Sequence, residues 1–220
     1  MINILLECYN IQEPWLYDEL KKHIKPFHRV AVVAFSYRDS QIKCIKDWYM
    51  CYAKEKGRFY RPIVDGLLAY GISEENISFI NYFADNKKSA KEKIEKSDIV
   101  YFLGGLPDKM LERIKEFDLY DVLANYKGIA MGYSAGALIQ LKEYHLSPDD
   151  DYPEFGYYEG LPYLNDFYLE VHYENSDVQN LSIQRVMKER MKTVYATVLM
   201  KGAIVVENGN IKLLGDAKKY

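Results

Sequence analysis

No stretch of the chain strings together enough apolar residues to cross a bilayer, which takes about 20. Cysteine is scarce. Cys8, Cys44 and Cys51 stand apart, and an odd count in a chain that runs from Met1 straight into an apolar strand predicts reduced thiols and a cytoplasmic setting. Cys44 and Cys51 fall about two turns apart on one helix, too far for a disulfide. No Cys/His cluster has zinc spacing, so no metal and no other cofactor is expected. An excess of one charge is also missing. The 29 Lys and Arg against 32 Asp and Glu leave a net −3, which offers no electrostatic argument for nucleic acid or an anionic membrane as a partner. Internal repeats, low-complexity runs and interdomain linkers are absent.

What is present is an ordinary globular balance, 49% apolar and 28% charged residues, in a chain of 220 residues, long enough to bury a sizeable core. Residues 1–220 read as a single domain. Apolar runs at Ile2–Leu6, Arg29–Phe35, Ile77–Phe83, Asp98–Leu103 and Gly128–Ala130 suit buried parallel strands. Helical segments separate them: Leu16–Ile24, Gln41–Lys56, Pro62–Tyr70, Asn86–Lys96 and Asp108–Phe117. On the third of these boundaries Gly71 ends the helix, and on the last Pro107 starts it. Within Gln41–Lys56 the spacing of Ile42, Ile45, Trp48, Tyr49 and Tyr52 predicts one apolar face. The alternation predicts an α/β fold, a doubly wound and mostly parallel sheet flanked by helices. Ser147–Gly160 reads as an acidic, Tyr/Pro-rich loop, Phe167–Val171 as a strand delivering His172, and Val178–Lys192 as a helix aligning Ile183, Val186, Met187 and Met191. The tail is expected to be antiparallel, with a hairpin at Asn208-Gly209.

The rest is organised around Gly132-Tyr133-Ser134-Ala135-Gly136, between a short strand and a run of helix formers. This matches the strand–turn–helix pattern G-x-S-x-G, whose bend is so tight that the positions two away on either side need to be nearly free of side chain. The plainer alternative is a turn with a helix-capping serine. A serine hydroxyl is a poor nucleophile at neutral pH and needs a base, itself oriented by an acid. His23 and His28 flank Lys25-Pro26 in a surface-type loop, and His145 follows the serine helix. His172 falls at a strand's carboxyl end, the edge where such sheets bind ligands, and is favoured over His145. Backbone N–H groups of Ala135 and Gly105 are the candidate oxyanion donors, with Gly104-Gly105 at the same edge. The acid stays open among Asp149, Asp150, Asp151, Glu154 and Glu170, the last sharing a strand face with His172.

Taken together, Phe102–Gly105, Gly132–Ala137, Val171-His172-Tyr173 and the closing V-Y-A…A-I-V-V-E-N-G stretch resemble the dipeptidase E and cyanophycinase group of serine peptidases, over most of the chain. The resemblance implies a class I glutamine-amidotransferase-like fold and a peptidase with Ser134 as nucleophile, His172 as base and Gly105 and Ala135 as oxyanion donors. It also marks three departures. Where aspartyl dipeptidases follow the Gly-Gly with Asn-Thr, this chain has Leu106-Pro107, and where they carry a specificity arginine it has Ser182, with Arg185 displaced. Loss of both anchors argues against specificity for N-terminal aspartate, because an unpaired carboxylate in a closed pocket is costly. At the position implied for the triad acid stands Lys201, which turns the choice to Asp149 as first candidate.

The leading expectation is a cofactor-free serine hydrolase cleaving small peptides. A binding or regulatory protein that keeps the peptidase fold is the alternative, motivated by Lys201. Amidotransferase chemistry ranks last, because that class uses cysteine at the turn occupied by Ser134. The tyrosines and the edge hairpin would permit a homodimer without requiring one.

Overall fold

The computed structural model describes residues 1–220. The chain opens with β1 (Ile2–Leu6), α1 (Pro14–Leu20), β2 (Val30–Val33), α2 (Ile45–Tyr52), α3 (Tyr60–Leu68), β3 (Ile77–Ile80), α4 (Lys87–Glu95) and β4 (Ile99–Phe102). It continues with α5 (Pro107–Glu116), α6 (Tyr120–Ala124), β5 (Ile129–Tyr133), α7 (Ala135–Leu138), β6 (Glu143–Leu146), β7 (Gly156–Glu159), β8 (Phe167–Tyr173) and α8 (Asp177–Arg190). The tail supplies β9 (Thr193–Val198), β10 (Gly202–Glu207), β11 (Asn210–Gly215) and β12 (Lys218–Lys219). Helix starts follow local chemistry. Pro14 and Pro107 occupy the first turns of α1 and α5, where a missing N–H costs nothing. Asn86 and Ser89 form a capping box on α4, and Ser176 caps α8.

A seven-stranded sheet forms the centre, in the order β11-β10-β1-β5-β4-β2-β3. The five strands from β1 to β3 in that order run parallel, and β10 and β11 close one side antiparallel. Side chains alternate between its faces. Ile99, Tyr101, Ile129 and Met131 join α1, α2 and α3 on one side. Val100, Phe102 and Ala130 join α4 and α5 on the other. Burial on both faces explains why these strands read as continuous apolar runs rather than alternating ones.

The predicted doubly wound α/β architecture and its β10–β11 hairpin are both present. Four details differ. Within Ser147–Gly160 the chain forms β7, which pairs with β6 where a loop was expected; a stacked cross-strand Tyr144–Tyr158 pair holds it. β9 does not join the β10–β11 hairpin; it pairs antiparallel with β12 and parallel with β8, in a separate three-stranded sheet. α2 buries Trp48 and Tyr52 but leaves Ile45 and Tyr49 exposed, because only one side of it meets the core. α8 ends in a left-handed residue at Met191, which leaves Met191 exposed beyond the last turn, and Met187 is exposed too. No helix is long and apolar enough to cross a membrane.

One buried polar contact ties the serine turn to the first strand. Asn3 is 4% exposed and donates its amide to Gln140, just past α7, at 3.0 Å. Gln140 in turn donates to the carbonyls of Ile4 (3.3 Å) and Gly136 (3.0 Å). Leucine at position 140 would match the volume but strand the Asn3 amide in the core. An unsatisfied buried donor of this kind costs about 1–3 kcal/mol. Gln140→Leu is therefore expected to lower the urea-unfolding free energy by about 2 kcal/mol. A change within about 0.5 kcal/mol would show that the contact does not hold the turn.

Candidate active site

The carboxyl ends of β1, β5, β4 and β2 carry, in spatial order, Glu7, Ser134, Gly104-Gly105 and Ser36. Ser134 has φ 53° and ψ −119°, a conformation that L-residues rarely adopt. The surroundings impose it. Its N–H donates to the Leu6 carbonyl at 3.0 Å, and its carbonyl accepts from Ala137 (2.8 Å) and Leu138 (3.1 Å). Close packing leaves no alternative path: a Cβ on Gly136 would lie 2.0 Å from the Phe102 carbonyl oxygen. The hydroxyl is not a helix cap. It lies 2.7 Å from Nε2 of His172.

His172 is brought there by an irregularity in β8. The pairing of β8 with β9 slips between Glu170 and Tyr173, and His172 takes φ 53° within the slip. Its backbone N–H donates to Glu7 Oε2 at 3.0 Å, and its Nδ1 is hydrogen-bonded to Glu7 Oε1. An ionised carboxylate can only accept, so the partners assign the ring proton to Nδ1 and leave Nε2 to accept from Ser134. The Glu7 side chain is only 2% exposed, and its own N–H is fixed to the Gly202 carbonyl at 3.1 Å. The pKa of His172 is raised above the ordinary imidazole value. The hydrogen bond to Glu7 is the largest cause; burial opposes it, and the charges of Glu7, Asp149 and Glu170 add to it.

Ser134 and His172 therefore meet, as the sequence predicts. The carboxylate on the imidazole is none of the five that the sequence offers. Asp149 is not on the imidazole; its Oδ1 accepts from the N–H groups of Asp151 (2.8 Å) and Tyr152 (2.7 Å), closing a local turn. Asp151 pairs with Arg38, Asp150 and Glu154 are exposed, and Glu170 accepts from His145 Nε2 and Ser147 Oγ, each at 2.7 Å. Glu7 stands in their place. Its signal was in the sequence: it directly follows the apolar run that becomes β1, the strand beside β5.

The Gly104-Gly105 turn is held on both sides by Ser36. The Ser36 hydroxyl donates to the Gly104 carbonyl at 2.6 Å, and its carbonyl accepts from Leu106 at 2.7 Å. Gly105 has φ +138°, and a Cβ there would lie 2.3 Å from the Ser36 carbonyl oxygen, so only glycine fits. Ala135 opens α7, where the first N–H groups have no partner within the helix. A cavity of about 240 Å³ lies over Ser134, walled by Cys8, Tyr9, Tyr133, Leu199 and Met200 with both glycines, and without Lys or Arg. Ser182 is buried in α8, and Arg185 pairs with Glu189 and stacks on Phe155, so neither borders this cavity. Lys201 is exposed in the turn before β10. No group of three or more His, Cys, Asp or Glu side chains is arranged to hold a metal ion.

Two solved structures share the architecture. A protein provisionally named peptidase E, from Listeria monocytogenes EGD-e, superposes with a TM-score of 0.63 at 16% identity, covering 100% of this chain and 98% of that one. A peptidase from an acI-B1 actinobacterium gives 0.60 at 14% identity, covering 100% and 93%. No curated protein is significantly similar in sequence. The family model for peptidase family S51 matches residues 51–214, well over half of the chain. The chain belongs to peptidase family S51 and is a serine-type peptidase.

Proposed function

We propose that the protein hydrolyses small peptides through Ser134, His172 and Glu7, without specificity for N-terminal aspartate. The observation that carries this reading is the 2.7 Å contact from Ser134 Oγ to His172 Nε2, with Glu7 on the opposite ring nitrogen. As Oγ attacks the scissile carbonyl, Nε2 takes its proton, and the buried Glu7 carboxylate stabilises the imidazolium that forms. The N–H groups of Gly105 and Ala135 donate to the developing oxyanion. His172 then protonates the leaving amine, and water repeats the sequence on the acyl-enzyme. The chain works as one domain, and the scheme needs no cofactor.

Glu7 supplies the carboxylate that Lys201 cannot, which favours catalysis over a binding-only role. The wall over Ser134 has no cation to pair an aspartate side chain, which supports a substrate without one. A reducing compartment such as the cytoplasm suits the three free cysteines.

A fluorophosphonate probe should label the folded protein at mildly alkaline pH, and Ser134→Ala should abolish labelling. A peptide-library screen with the same pair of proteins should show cleavage by the wild type alone. Well-folded protein that neither labels nor cleaves contradicts the proposal.

The raised pKa of His172 has a definite sign for activity. The base is protonated below its pKa, so kcat/KM should rise with pH through a midpoint above the ordinary 6.5. Glu7→Gln removes the main cause of the shift. Its midpoint should move down, and kcat should fall by a factor on the order of 10⁴, the scale of losing a triad's orienting carboxylate. An unmoved midpoint with near-normal kcat would remove Glu7 from the mechanism.

A further inference from the structure

Two cavities meet at the serine–histidine pair. One, of about 320 Å³, borders His172 but not Ser134. The other, of about 240 Å³, borders both, together with Gly104 and Gly105. The attacked carbonyl carbon sits on Ser134 Oγ, with its oxygen toward the glycine turn. The side chain of the residue that supplies this carbonyl branches from the very next atom. It therefore starts in the cavity that Ser134 and the glycines share, while the leaving residue starts at His172 Nε2.

Away from the reacting groups, the wall of this shared cavity is Cys8, Tyr9, Tyr133, Leu199 and Met200. It holds no Lys or Arg. Its one carboxylate, Glu7, gives one oxygen to the His172 ring and the other to the His172 N–H. Burial pushes the Cys8 thiol above its ordinary pKa, which keeps it uncharged at neutral pH. The Tyr133 ring packs so closely on Gly104 that a Cβ there would lie 2.4 Å from Cε2. Tyr9 meets that ring edge to face, with 5.6 Å between centroids.

Leu199 and Met200 close the wall from the turn between β9 and β10. The Leu199 N–H donates to the Tyr173 carbonyl at 3.3 Å, the Lys201 N–H donates to the Val198 carbonyl at 3.2 Å, and Met200 takes φ 68°. This holds two apolar side chains at the cavity although they are 43% and 63% exposed. A substrate side chain seated against them removes apolar surface from water on both partners. A carboxylate, amide or ammonium in the same place would lose its water and find no partner.

We propose that this cavity selects an apolar side chain, aliphatic or aromatic, on the residue that supplies the scissile carbonyl. The inference rests on the serine-peptidase reading above and names the substrate class of that same site. A volume of about 240 Å³ falls under the roughly 300–1,000 Å³ of whole-ligand pockets and suits a single side chain.

The test compares cleavage of X-alanine dipeptides in which X is leucine, methionine, phenylalanine, asparagine, aspartate or lysine. Leucine and asparagine have nearly the same shape, so their ratio reads polarity. The kcat/KM for leucine should exceed that for asparagine at least roughly tenfold, with methionine and phenylalanine beside leucine and aspartate lowest. Met200→Lys, at an exposed position, should raise the aspartate-to-leucine ratio severalfold; fluorophosphonate labelling of the same variant shows that its serine is still in place. Equal rates for leucine and asparagine overturn the proposal, as does faster cleavage with aspartate or lysine, and labelling at Ser134 would then leave the peptidase reading standing. Should no dipeptide be cleaved, calorimetric titration of Ser134→Ala with leucyl-alanine and asparaginyl-alanine reads the cavity without turnover. Tighter binding of leucyl-alanine supports the site; equal binding, or none of either at millimolar concentration, rejects it.

Discussion

The end of β1 holds both halves of the serine–histidine pair. The Leu6 carbonyl accepts the N–H of Ser134, and the next residue, Glu7, binds His172 through its backbone N–H and its ring. Two residues thus fix a serine from β5 against a histidine from β8, 38 positions further on. The arrangement works because β1 lies between β5 and β10 in the sheet, where the Glu7 N–H is itself clamped by Gly202. A carboxylate taken almost wholly out of water is costly unless its oxygens are used. Here both are, and by groups whose position matters to the chemistry.

Around that clamp the sheet edge is stiffened piece by piece. The Asn3–Gln140 contact joins the start of β1 to the far end of α7. Ser36 pins the Gly104-Gly105 turn from the end of β2. Gly136 brings α7 against the Phe102 carbonyl more closely than any side chain would permit. Ser134 and His172, the two residues that meet, both hold a φ of 53° without being glycine. Strain of about 1–3 kcal/mol at each is tolerated only where neighbours overdetermine the backbone, which these contacts do.

Much of this was legible in the chain itself. Continuous apolar runs marked the buried strands, Gly132–Gly136 marked the serine turn, and the run Phe167–Val171 pointed to His172, which lies inside β8 rather than after it. The carboxylate that contacts His172 was not legible, and the reason is physical. Ser134 and His172 sit in local patterns, but the carboxylate reaches them through strand order, which no local pattern encodes. Glu7 also lies outside residues 51–214, the stretch that matches the family model, while Lys201 within it occupies the position where resemblance placed the acid. The β6–β7 hairpin was hidden because its strands flank an acidic, Pro-containing stretch that reads as loop. The many tyrosines find a role only in three dimensions. Tyr60, Tyr82 and Tyr157 set their rings against apolar or aromatic neighbours and donate their hydroxyls to Glu74, Glu116 and Glu189.

The central claim is that Ser134, His172 and Glu7 act as one unit facing the glycine turn. A crystal structure of the fluorophosphonate adduct tests it most directly. The account predicts phosphorus on Ser134 Oγ, a phosphoryl oxygen about 3 Å from the N–H groups of Gly105 and Ala135, and His172 still bound to Glu7. An adduct on another residue, or an imidazole swung away from both Ser134 and Glu7, would contradict it.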